Sequence, residues 1–251
     1  MREKVYLYGK NPLKEAFLAK ERGLEDLIEK LYLTRQAEAD PKIIGLIQAE
    51  KMDYEIITPG EIEALVGRNA LHQGICAIIN ENSLYADLDG ALKAAKDKSE
   101  SSLFVLLDEL EDPHNVGAII RSAVAFGADA VLMPEHNQTL LNGTVIKASS
   151  GMIFSIPIVK IGNINTTLKK LKDNGFWTYG LTGSGDTKLS ETKFDTSCVI
   201  VIGGEGKGIR EKTLEHCDFK LSISIDPKCE SLNASNAAAV TLYEWRKQNK
   251  N

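Results

Sequence analysis

The sequence predicts an α/β protein: a small N-terminal α/β domain, then a larger domain whose parallel sheet is covered by helices. Three observations carry this expectation. Strand-like apolar runs alternate with capped or amphipathic helical stretches along the whole chain, the pattern that builds parallel sheets. Apolar density falls between Glu81 and Ser102, where "KDKSESS" has the small, charged composition of a connection. Beyond it, "LFVLLDEL" is a near-continuous apolar run of the kind a strand buried on both faces requires. With 251 residues the chain can build two cores, since domains commonly hold about 100–200 residues. The expected division is 1–80, a linker over 81–101, and 102–251.

In the first domain "KVYLYG" reads as a strand, and "NPLKEAFLAK" as a helix with Asn11 as cap and Pro12 at its first position. "LYLT" is a second strand and "PKIIGLIQAEK" a helix led by Pro41. "YEIIT" is a third strand, "TPGEIEALVG" a helix capped by Thr58 with Pro59 inside, and "GICAIIN" a fourth strand. In the second domain the strand candidates after "LFVLLDEL" are "ADAVLM", "SIPIVKI", "WTYGL", "CVIVIGG" and "KLSISI", interleaved with helical stretches such as "NTTLKKLKDNG".

Composition excludes several classes. Hydrophobic residues make up 43% and charged residues 26%, the balance of a globular protein and not of a disordered one. No apolar run approaches the roughly 20 residues that cross a bilayer, and the N-terminus has no apolar core with a cleavage site, so a cytoplasmic protein without a membrane partner is expected. Cys76, Cys198, Cys217 and Cys229 lack any C-x-x-C spacing, which indicates neither disulfides nor a metal site. A net charge of −5 argues against a protein that coats nucleic acid, although bases outnumber acids over Met1 to Arg22.

Three segments could carry chemistry, each following an apolar strand. In "DPHNVGAIIRSAVAFG", Val116, Ile119, Ile120, Ala123 and Val124 form an apolar stripe on a helix that Asn115 can cap and Gly127 can end. Arg121 lies off that stripe, and Gly117 leaves room for a phosphate or another chain. "CVIVIGGEGKGIR" runs from a strand into a glycine-rich turn. It is no nucleotide-phosphate loop: after Gly204 and Gly206 the fingerprint needs glycine where Ile209 stands, and Lys207 is followed by Gly208, not Ser or Thr. Glu205 within it suits a hydrogen-bond-donating or cationic partner. "ESLNASNAAAVTLYEW" opens a helix with Ser231, Asn233 and Ser235, which are cap-type residues, and continues with alanines that permit close backbone approach.

In this order, "NVGAIIRSA", "IGGEGKGIR" and "SLNASNAAAV" resemble the three motifs of the SpoU/TrmH branch of the SPOUT RNA methyltransferases. "LYGKNPLKEAF" and "LHQGICAII" are similar to the RNA-binding domain of the subgroup that methylates a guanosine of 23S rRNA. The resemblance spans nearly the whole chain. It implies transfer of a methyl group from S-adenosylmethionine to a ribose 2′-hydroxyl, a homodimer with active sites at the subunit interface, and a C-terminal trefoil knot. General topological rules treat knots as essentially absent. The catalytic residues it implies are Asn115, Arg121, Glu205, Ser231 and Asn233; the cofactor-binding ones are Gly203, Ile223 and Leu232, with Leu181 and Thr182 from the preceding strand end. For RNA contact the candidates are Arg2, Lys10, Arg35, Arg68, His72 and Gln73. No metal is implied.

A tRNA-directed or resistance-conferring relative would share these motifs. A non-catalytic, RNA-binding assembly factor is the reading from another class, and the complete set Asn115, Arg121, Glu205 and Asn233 argues against it. The failed glycine-loop spacings weigh against a nucleotide-dependent metabolic enzyme.

Overall fold

The computed structural model describes residues 4–24, 26–98 and 100–249. The chain forms two compact units, one of residues 1–85 with 140–155, the other of 86–139 with 156–251.

The first unit begins with β1 (Val5–Tyr8), α1 (Lys10–Lys20), β2 (Ile28–Leu33), the single turn α2 (Arg35–Glu38) and α3 (Pro41–Ala49). It continues with β3 (Tyr54–Ile56), α4 (Pro59–Val66) and β4 (Ile75–Ile79). Its sheet has the order β1-β4-β2-β3, with β4 antiparallel to both neighbours and β2 parallel to β3. Leu7, Leu31, Leu33 and Ile75 from the strands pack with Leu13, Ile47 and Ile62 from the helices, all at 1% exposure or less. Proline leads α3 and α4 as expected, behind Asp40 and Thr58. Thr58 forms a full capping box with Glu61, satisfying orphan amides at the helix start. For α1 the expectation of an Asn11 cap fails. Gly9, at φ +95°, is the cap, so Asn11 and Pro12 already lie inside the helix. A left-handed residue turns the chain out of β1 without any side-chain cap.

Residues 81–101 are not an extended connection. They carry a 3₁₀ turn, the short β5 (Tyr85–Ala86) and α5 (Leu88–Lys96), whose Ala91, Leu92 and Ala95 are buried. The low apolar density reflects a helix with a single buried face. The second unit goes on with β6 (Leu103–Asp108), α6 (Pro113–Phe126) and β7 (Ala130–Pro134). The chain then contributes 140–155, with α7 (Gly143–Ala148), to the first unit. Next come β8 (Ile158–Ile161), α8 (Ile164–Asp173), β9 (Trp177–Leu181), β10 (Thr187–Lys188), β11 (Cys198–Gly203), α9 (Glu211–Glu215), β12 (Phe219–Ser222) and α10 (Ala234–Asn249).

The sheet of this unit runs β10-β12-β9-β11-β6-β7-β8-β5, and its registered pairs, from β10 to β8, are parallel. Every residue of β6, β7 and β11 is buried, which explains their unbroken apolar runs. Two parallel neighbours, β6 and β11, end side by side, with Asp108 in register with Gly203. Strand ends of open α/β sheets are where ligands bind, and the three motifs follow from them. The last helix leaves β12, three places from β6, and returns to pack against α6. It buries Ala238, Thr241, Leu242 and Trp245, one face at helical spacing.

Candidate active site

Each motif is positioned by local chemistry. Helix α6 is capped by Asp112, whose Oδ1 accepts from the His114 amide at 3.0 Å, and Pro113 stands at its first position. Asn115 was expected as the cap; the proline moves the start upstream and leaves Asn115 in the first turn, 6% exposed, with its side chain free for other work. Gly127 ends the helix in the left-handed conformation, as expected. Gly117 is buried in α6, so packing takes the space that the sequence left open there.

The glycine-rich turn after β11 folds back on itself, with an antiparallel bridge between Gly204 and Gly208. A Cβ at Gly203 would lie within 3.0 Å of backbone atoms of Gly208 and Ile209, so only glycine fits there. Glu205 is held out at the tip. At α10, Asn233 is the residue that caps: its Oδ1 accepts from the Ser235 amide at 2.9 Å and from Ser235 Oγ at 2.6 Å. Ser231 lies upstream and exposed; its carbonyl accepts from the Cys229 thiol.

These three segments converge on one carboxylate. Glu205 Oε1 accepts from Asn115 Nδ2 at 2.6 Å and from Asn233 Nδ2 at 2.6 Å. Because the Asn233 oxygen is spent on the helix start, its amide nitrogen is the group left to face Glu205. Charge-assisted bonds of this kind are roughly twice as strong as neutral ones.

Beside this cluster lies a cavity of about 810 Å³. Gly203, Ile223, Leu232, Leu181 and Thr182 all line it, together with Ser231 and Asn233. A second cavity of about 310 Å³ lies between the start of α6 and the glycine turn, and Asn115 and Glu205 line it. Glu205 thus borders both. Arg121 does not join the cluster. It is exposed, six residues along α6 from Asn115, or about 9 Å at 1.5 Å per residue. It has no hydrogen bond or ion pair among the described residues.

The expected RNA-contacting residues fall in the first unit, apart from Arg2, which lies outside the described residues. Lys10 is paired with Asp40 at 2.7 Å and Arg35 with Glu38 at 3.0 Å, so both charges are partly neutralised. Lys10 and Asp40 act on each other, and the Lys10 bond leads the causes that hold the Asp40 carboxyl below its ordinary range. Arg68 is exposed and unpaired among the described residues. His72 Nδ1 accepts from the Gly74 amide, and Gln73 Oε1 from the Lys10 amide. The sequence did not point to Lys147, whose amine donates to the Leu71 carbonyl at 3.0 Å and lies 5.8 Å from the Tyr8 ring centroid. Burial pushes its pKa down. Nor did it single out Asp108 and Arg210, which are bonded to each other. A carboxylate closing an all-apolar strand was the available signal for Asp108.

No group of His, Cys, Asp or Glu side chains able to hold a metal occurs among the described residues. None of their helices is long and apolar enough to cross a membrane.

Comparison with known proteins identifies the family. Residues 102–243 match the model of the SpoU rRNA Methylase family, and residues 6–85 match that of the RNA 2′-O ribose methyltransferase substrate-binding domain. A Staphylococcus epidermidis protein assigned to the TrmH family of tRNA/rRNA methyltransferases is 35% identical over 247 residues, covering 98% of this chain and 97% of that one. The fold matches the SpoU methyltransferase AviRb from Streptomyces viridochromogenes, solved in complex with AdoMet, with TM-score 0.81 and 24% identity over 98% of this chain and 90% of that one. It also matches an AdoMet-bound rRNA methyltransferase from Sinorhizobium meliloti, with TM-score 0.77 and 21% identity over 97% and 87%. With the family model covering more than half of the sequence, and one-third identity sustained along nearly all of it, the chain belongs to the SpoU rRNA Methylase family.

Proposed function

We propose that this protein is an S-adenosylmethionine-dependent RNA 2′-O-ribose methyltransferase that acts as a homodimer on a guanosine of 23S rRNA. The observation that carries the reading is the meeting of Asn115, Glu205 and Asn233 at the rim of the 810 Å³ cavity. Ligand cavities commonly measure about 300–1,000 Å³, so a nucleoside-sized cofactor fits. Its walls suit one: Ile223 and Leu232 offer apolar surface, and Gly203 lets the glycine turn close tightly beside it. The AdoMet-bound structures of the two relatives above support the choice of cofactor. The match to a substrate-binding domain supports RNA, and the resemblance of "LYGKNPLKEAF" and "LHQGICAII" supports the guanosine of 23S rRNA.

When bound, S-adenosylmethionine supplies a methyl group already activated on a sulfonium, so neither a metal nor a covalent nucleophile is needed. The protein's task is to hold the ribose oxygen about 3–3.5 Å from the methyl carbon, in line, and to assist loss of the hydroxyl proton. Glu205, fixed by two amides, holds the shape of the cavity rim, and Ser231 and Asn233 position the target nucleotide. Arg121 grips an RNA phosphate next to the reacting ribose. A guanidinium does not give up its proton in a protein, so Arg121 acts through charge and geometry and not as the base.

The dimer draws support from α10, where Val240 and Tyr243 are 44% and 57% exposed and Tyr243 meets Phe126 of α6 edge-on. A second copy over this face would bury them and bring an RNA-bound phosphate towards Arg121. The C-terminal trefoil knot belongs to the same proposal; the return of α10 to α6 supports it.

Two measurements test the reading. Calorimetry with S-adenosylmethionine should show binding to the wild-type protein, and its absence would favour an RNA-binding assembly factor. Mapping ribose methylation in a strain lacking this protein should reveal one missing 2′-O-methylguanosine in 23S rRNA. A missing mark in tRNA would redirect the substrate, and no missing mark would refute the activity.

A further inference from the structure

We infer that Asp108 is the positioning residue of this active site: it holds both stems of the glycine turn and thereby sets where Glu205 stands. The inference rests on the function proposed above and deepens it. Asp108 is the last residue of β6 and is 0% exposed. Its carbonyl accepts from the Gly204 amide at 3.1 Å, at the entry to the turn. Its carboxylate accepts from the Arg210 amide at 3.0 Å and from Arg210 Nε at 2.8 Å, at the exit. Arg210 Nη2 adds a 2.8 Å contact to the same carboxylate, and Nη1 reaches Glu109 at 3.0 Å.

One residue therefore fastens the loop at 204 and at 210, with Glu205 next to the first anchor. The geometry leaves little slack. Glu109 adopts φ +56°, which turns its carbonyl against Gly204, where a Cβ would lie 2.5 Å from that oxygen. The loop closes on itself through the 204–208 bridge, so movement at either stem is passed to the tip. None of these atoms lies on the Glu205 carboxylate, so Asp108 acts through the loop and not on the reacting atoms.

The pairing has a physical reason. A buried carboxylate is tolerated only when paired and hydrogen-bonded, and here the Arg210 amide and the Arg210 guanidinium do the pairing. An Arg fork engages carboxylate geometry that a lysine ammonium cannot reproduce.

The test is a double-mutant cycle in methyl-transfer rate. Asp108→Asn keeps the shape but turns an amide towards the Arg210 guanidinium. It should lower kcat by on the order of 10²-fold, the usual cost of about 1 Å of misplacement. Combined with Glu205→Gln, it should add almost nothing to the loss from Glu205→Gln alone, because both act through one carboxylate. Combined with Ser231→Ala, which lies off this loop, the losses should multiply. Multiplication in both pairings, or an Asp108→Asn enzyme with wild-type kcat, would overturn the inference. Should Asp108→Asn fail to fold, Arg210→Gln at the exposed end of the pair serves the same cycle, and Arg210→Lys should recover part of the rate. A wild-type protein that transfers no methyl group would refute the proposed function itself, an outcome distinct from an active enzyme indifferent to Asp108.

Discussion

Gly203→Ala is the sharpest single perturbation of the cavity. An added Cβ would fall within 3.0 Å of Gly208 C, Gly208 O and Ile209 N, and all three are backbone atoms that no rotamer change can move. Ordinary contact begins at 3.4 Å, so the hairpin from Gly204 to Gly208 must open by on the order of 1 Å. Overpacking of this kind costs about 1–3 kcal/mol of stability. The larger effect is on geometry, because Gly203 lines the cavity and Glu205 stands two residues on. A displacement of about 1 Å costs about 10²-fold in turnover. Calorimetry with S-adenosylmethionine and transfer of a radiolabelled methyl group to RNA would measure both. Gly206→Ala is the matched control. Its φ of +77° makes alanine strained by about 1 kcal/mol, but no atom lies within 4 Å of the new methyl. Gly203→Ala with wild-type affinity and turnover, or Gly206→Ala as damaging as Gly203→Ala, would refute the steric reasoning.

Other outcomes follow from the same geometry. Burial pushes the Cys76 and Cys217 thiols up to about 12, and Cys198 is raised as well, whereas Cys229 is exposed and lines the cavity. A thiol reagent should therefore label the native protein once, at Cys229, and bound S-adenosylmethionine should slow that labelling; an unchanged rate would place the cofactor elsewhere. Asp218 lies partly buried, which pushes its pKa up, but its bonds to Lys172 and Thr178 outweigh this and hold it below the ordinary range. Its stabilisation is thus present above the unfolded pKa of about 3.9 and is lost as pH falls through the lower, folded value. Lys172→Met should raise the folded pKa and move acid unfolding, followed by circular dichroism, to higher pH; the same midpoint as wild type would contradict this. In the first unit, Gly9→Ala at φ +95° places a methyl where the Lys147 amine sits. It should lower stability by about 1–3 kcal/mol in a urea titration, and an unshifted midpoint would count against the strain.

Much of the fold could be read from local pattern. The apolar runs of β6, β7 and β11, the prolines leading α3 and α4, and the Gly127 stop are each decided within a few residues, where sterics and capping act. The linker was harder to read, because α5 buries only Ala91, Leu92 and Ala95 and so looks polar when averaged. The two misplaced caps have one cause. Pro12 and Pro113 both mark a first turn, but proline is tolerated at more than one early position, and Gly9 or Asp112 decides which.

By itself, the sequence determined the α/β class, the three strand-end segments and the residue types they carry, because hydrophobic period and turn chemistry are local properties. Tertiary structure alone decided that Asn115 and Asn233 meet on one oxygen of Glu205, across separations of 90 and 28 residues. It also decided that Asp108 reaches 102 residues along the chain to Arg210, and that 140–155 joins the first unit. Those contacts depend on which strands lie side by side, and parallel neighbours such as β6 and β11 are linked by crossovers whose endpoints no local pattern specifies.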